Sequence, residues 1–136
     1  MNTNLAQLAC FLLVMAVLLL APLDRTEAAE ELNAPRIYVV TPASDAAMTP
    51  PVQVTLRFET QDGSDIDLAT FQVLYQFGIF KKDVTKKVLQ FATLTPTGLT
   101  GSTPPELPPG EHTLVFRIRD TQHRMGERTL SLRISR

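Results

Sequence analysis

Two histidines and two methionines are the side chains best suited to holding a metal: His112, His123, Met48 and Met125. Imidazole and thioether donors suit copper, and imidazole also suits zinc. His123 and Met125 share the segment D-T-Q-H-R-M-G, residues 120–126, and could point outward together. The chain has one cysteine, Cys10, inside an apolar run. Two histidines without thiolates are a poor supply for a closed zinc site, which takes four ligands. A copper site could borrow an amine or a carboxylate. The plainer expectation is a structural His112, a solvated His123 and no cofactor.

Nucleophilic catalysis needs a base held beside the nucleophile. Ser44, Ser64, Ser102, Ser131 and Ser135 sit in no G-x-S-x-G elbow, and although their spacing does not forbid a Ser-His-Asp arrangement using Asp120, nothing points to one. The chain is therefore expected not to be an enzyme. Asp62, Asp65 and Asp67 present hard oxygen donors suited to Ca²⁺, but without the glycine and closing glutamate of an EF-hand loop. They read as a solvated turn. Lys81, Lys82, Lys86 and Lys87 form one local positive cluster that could touch phosphate headgroups or an acidic partner. Arg117, Arg119 and Arg133 fall on one outward row of two neighbouring segments. They are expected either to pair with Glu59 or Glu111 or to form a docking face.

The elements that must position these groups divide at the N-terminus. Leu8 to Leu23 is an unbroken apolar run, followed by Asp24, Arg25 and Glu27 and then by Ala28 and Ala29. Thr26 and Ala28 supply the small-x-small pattern of a signal-peptidase site. Residues 1–28 are read as a hydrophobic signal helix, cleaved or kept as an anchor. Its 16 residues rise about 24 Å, short of a hydrocarbon core of about 30 Å. Residues 29–35 form a short linker, and 36–136 one domain. Residues 29–136 keep twelve of the thirteen Lys and Arg and twelve of the fourteen Asp and Glu, so their net charge is zero with histidine neutral. That balance argues against a nucleic-acid partner. Without cysteine, stability must come from the packed core.

Within 36–136 the hydrophobic period is two. Val52, Val54, Leu56 and Phe58 alternate with Gln53, Thr55, Arg57 and Glu59. Phe71, Val73, Tyr75 and Phe77 share a face, with Leu74 on the other. Leu114, Phe116 and Ile118 alternate with Thr113, Val115, Arg117 and Arg119, and Leu130, Leu132 and Ile134 with Thr129, Ser131 and Arg133. Such runs mark strands with one wet face. Val88–Thr93 reads as another strand, with Leu89 and Phe91 together. K-K-D-V-T-K-K, 81–87, is a loop or one helical turn. Gly78 suits a bulge or bend, Leu99 a short edge strand, and Gly126 a positive φ in the last hairpin. The pattern predicts an all-β fold, an antiparallel β-sandwich of about seven strands.

The closing segments L-P-P-G-E-H-T-L-V-F-R-I-R-D, 107–120, and T-L-S-L-R-I, 129–134, resemble those of immunoglobulin-like or fibronectin type III-like domains of exported bacterial proteins. P-A-S-D-A-A-M-T-P-P-V-Q-V-T-L-R-F, 42–58, resembles their opening loop and second strand. The resemblance implies an immunoglobulin-like sandwich acting as spacer, assembly module or binding surface. Those domains often carry a tyrosine where this chain has His112, and a histidine could make a similar backbone hydrogen bond. Residues 41–58 also resemble the opening of small periplasmic copper-carrying β-sandwiches, which tend to place a histidine at the mature N-terminus. Here Glu30 and Glu31 follow the alanines.

Together these readings predict a non-catalytic interaction or structural module in the periplasm or outside the cell. It would bind an envelope protein partner through a face rimmed by Phe80, Leu99 or the arginine row. An uncleaved N-terminal segment would keep it near the membrane. The alternative is a periplasmic copper carrier using histidine and methionine ligands.

Overall fold

The computed structural model describes residues 32–135. The signal helix, the cleavage site and the first residues of the linker lie outside the described residues. Eight strands follow one another: β1 (Arg36–Thr41), β2 (Gln53–Glu59), β3 (Ile66–Phe77), β4 (Phe80–Asp83), β5 (Ala92–Thr95), β6 (Gly98–Ser102), β7 (Gly110–Asp120) and β8 (Met125–Ile134). A five-residue helix, α1 (Thr85–Leu89), joins β4 to β5.

The strands form two antiparallel sheets, ordered β1-β2-β6-β5 and β4-β3-β7-β8. The alternation explains why both exist. Each sheet has an apolar face that it can keep from water only by meeting the other. Ile37, Val54, Leu56, Phe58 and Leu99 come from the first sheet, with Val52 just before β2. Phe71, Val73, Phe116, Ile118, Leu130, Leu132 and Ile134 come from the second, and together they make one core. Phe71 lies 6.0 Å from Phe58 across the gap and 6.5 Å from Phe116 beside it, measured between ring centroids. The loops close the end of the sandwich reciprocally. The Thr103 hydroxyl accepts the Val52 N–H (2.8 Å), and the Thr103 N–H donates to the Val52 carbonyl (3.0 Å).

Four local readings are corrected by the structure. Leu99 is an interior residue, buried in a strand that lies between β2 and β5, and so cannot rim an exposed face. Residues 88–93 are not one strand. Thr85–Leu89 coils as α1, and Leu89 and Phe91 are exposed, because the chain must cross here from one sheet to the other. Leu74 and Val115, placed on the wet face by alternation, are buried side by side in register on the two central strands. The positive φ of the last turn belongs to His123 (64°), not Gly126. Gly126 is required for another reason: a Cβ there would stand 1.9 Å from the Pro35 carbonyl oxygen.

Candidate functional site

The four candidate metal donors fall at two ends of the sandwich. Met48 bridges Ile134 at the end of β8, while Met125 opens that strand. The ten extended residues of β8 set these ends about 30 Å apart. Met48 is stitched to the β8 terminus: its N–H donates to the Arg133 carbonyl and its carbonyl accepts the Ser135 N–H, both at 2.9 Å. Its half-buried side chain packs against the core.

His112 is buried near the start of β7, and both its ring nitrogens are engaged. Nε2 lies 2.7 Å from the Pro108 carbonyl oxygen. A carbonyl only accepts, so the proton sits on Nε2. Nδ1 then accepts from the Tyr75 hydroxyl at 2.9 Å. The imidazole thus ties the loop before β7 to β3. His123 and Met125 are exposed at the opposite end. Among the described residues, no three His, Cys, Asp or Glu cluster together.

The largest ion-pair cluster among the described residues could not be seen in the sequence as a unit. Asp120, with no exposure, accepts the N–H groups of Gln122 (2.9 Å) and Arg124 (3.0 Å) on one oxygen and Arg124 Nε (2.8 Å) on the other. The same guanidinium donates through Nη2 to Asp62 (2.6 Å) and to the Ser64 hydroxyl (2.9 Å). The Thr121 N–H donates to the Asp65 carbonyl (2.9 Å). This latch fastens the β7–β8 turn to the β2–β3 loop. Hydrogen bonds from Ser64 and Arg124 hold the Asp62 carboxyl down at about 2. The acidic run is thereby explained structurally: Asp62 belongs to the latch, and Asp67 accepts the N–H of Ala69.

Of the arginine row, Arg117 alone is ion-paired among the described residues. Arg117 bonds Glu127 at 2.6 Å, and Arg119 Nη1 donates to the His123 carbonyl at 2.8 Å. Arg133 faces Glu111 in register without an ion pair among the described residues. An open groove of about 640 Å³ runs between residues 69–72 of β3 and the segment Lys82–Lys87. Its carboxylate, Asp83, is committed to the Thr85 hydroxyl and N–H and to Gln72. Those bonds, the Thr85 hydroxyl foremost, lower the Asp83 pKa.

The β3–β4 hairpin stands apart. β3 has twelve residues against seven in β2 and five in β6, so its end has no facing strand of similar reach. The inward row Phe71, Val73, Tyr75, Phe77 therefore leaves the core before it finishes. Burial falls along it from 6% and 0% exposed at Phe71 and Val73 to 51% at Phe77. Gly78, at φ 60°, and Ile79 make a two-residue turn of the type II′ pattern. Ile79 is 91% exposed and Phe80 62%. Phe77 lies 6.2 Å from Tyr75 and 6.0 Å from Phe80, an aromatic ladder whose inner rung is anchored on His112. Lys81, Lys82, Lys86 and Lys87 follow, all exposed and none in an ion pair among the described residues. The lysines and Phe80 were legible as candidates from residue type alone. That Phe77 and Ile79 join them was not, because alternation cannot tell where a strand outruns its opposite sheet.

No protein-family model matches the chain, and no curated protein matches it. Among solved structures it resembles the crystal structure of CopC from Methylosinus trichosporium OB3b, with 19% identity and a TM-score of 0.45. The match covers 73% of this chain and 93% of that one. A likeness at that level concerns the two-sheet β arrangement, and no ligand transfers with it.

Proposed function

We propose that this chain is a non-catalytic, exported interaction module whose working surface is the tip of the β3–β4 hairpin, presented to a component of the cell envelope. One observation carries the reading: Phe77, Ile79 and Phe80 expose three large apolar side chains within four residues. Scattered exposed apolar residues are ordinary, but a contiguous group marks a contact surface. The ladder behind the tip holds it to the body of the sandwich through Tyr75 and His112. Export rests on the apolar run and small-residue site before Ala29. Copper carriage would have to free one ring nitrogen of His112 from its hydrogen bond, or bring His123 and Met125 together with donors from elsewhere.

Photo-crosslinking in intact cells tests the proposal. A crosslinking side chain at Ile79 is expected to give a discrete adduct, while the same group at Gln122, in the turn at the opposite end, gives none. Equal and diffuse labelling at both positions would refute it.

A further inference from the structure

We infer that the surface met by the β3–β4 tip is an anionic lipid bilayer, with Phe77, Ile79 and Phe80 entering the headgroup region and the four lysines resting on lipid phosphates. The inference deepens the docking role proposed for the hairpin and rests on it.

Three observations favour lipid over a protein pocket. First, the tip is convex: Ile79 is 91% exposed, and the flanking aromatic rings are half open or more. A convex apolar point bounded by a two-residue turn enters a deformable medium without needing a shaped partner. Second, the charge that follows it along the chain is mostly of one kind. Lys81 and Lys82 directly follow Phe80, and Lys86 and Lys87 lie on α1 next along the chain. The one acid among them, Asp83, is already bound to Thr85 and Gln72. Lysine is depleted in protein–protein interface cores. At a bilayer it is favoured, because its stem lies along apolar matter while the ammonium stays at the phosphates. Third, the residues are ordered by depth. In register, Phe77 faces Phe80, Gln76 faces Lys81 and Tyr75 faces Lys82. Moving back from the turn, apolar side chains give way to Lys81 and then to Lys82, level with a tyrosine whose hydroxyl is held by His112. Aromatic and apolar groups in the lipid, with basic groups at the interface, are the arrangement of an interfacial anchor.

The sequence contains no tryptophan, so Ile79→Trp places a single reporter at the tip of the full chain without removing its apolar character. Gln122→Trp is the control, because it shares any adsorption through the apolar N-terminal run but sits at the far end of β7. With vesicles of phosphatidylglycerol and phosphatidylcholine, the emission of the Ile79→Trp chain is expected to shift to the blue and to be quenched by lipids brominated on their tails. With phosphatidylcholine alone both effects should be lost. Changing the four lysines to glutamine should raise the anionic lipid needed for half-maximal shift about tenfold or more. Water-like emission from the tip reporter on anionic vesicles, or the same response from both reporters, would overturn the inference. So would an equal response on neutral vesicles. A protein adduct at Ile79 in cells, together with water-like emission on vesicles, would overturn the lipid assignment alone. Failure of both experiments would remove the docking role as well.

Discussion

Phe116→Ala is expected to cost the fold about 3–5 kcal/mol, seen as a lower urea midpoint in far-ultraviolet circular dichroism. Phe116 is 1% exposed on the central strand β7. Its ring stacks on Phe71 at 6.5 Å and 20°, and Phe71 tilts against Phe58 of the other sheet at 6.0 Å and 48°. Truncation removes the end of a three-ring contact that crosses the sandwich. The cavity sits between strands held in register on both sides, so little can collapse into it. A domain of this size is stable by only about 5–15 kcal/mol, so much of that margin would go. No disulfide within residues 29–136 can offset the loss, since Cys10 precedes them. A cost below about 1 kcal/mol would mean that the two sheets do not meet at this ring.

Asp120→Ala should approach it, at about 3 kcal/mol, the lower end for breaking a buried ion pair. Asp120 has no exposure and takes three hydrogen bonds, two from backbone N–H groups. Alanine leaves those donors unsatisfied and strands Arg124, whose side chain is 11% exposed. The retained bond from Arg124 to Asp62 keeps the loss from the upper end of that range. The damage should be local before it is global. Backbone amides at Thr121, Gln122 and Arg124 should exchange with solvent much faster, while those of β2 and β6 keep their protection. Unchanged exchange in that turn would show that the latch does not fasten it.

Much of this fold is written in alternation. Val54, Leu56 and Phe58 face the core as their spacing requires, and so do Phe116, Ile118, Leu130 and Leu132. Period two fails where tertiary context decides. Leu89 and Phe91 fall two residues apart around Gln90 as on one face of a strand, yet the chain is changing sheets there and leaves both exposed. Leu99, read as a short edge strand within a stretch rich in proline and glycine, lies in an interior strand whose backbone pairs on both sides. The latch had a weak sequence signal, an aspartate and an arginine four residues apart across a turn. Its other half, Asp62, is remote in sequence and could not be joined to it. The structural role of His112 was legible; its partner Tyr75, 37 residues away, was not. The candidate surface was half visible, as lysines and Phe80, and completed only when β3 proved longer than the sheet it faces.

The stability of a chain carrying Phe77→Ser, Ile79→Ser and Phe80→Ser together bears most directly on whether the hairpin tip exists for contact. Side chains kept in water by the fold contribute little to it, so the urea midpoint should match the parent's to within about 0.5 kcal/mol, or rise slightly. A loss of several kcal/mol would show these three residues holding the domain together, leaving it without the outward surface on which its function has been placed.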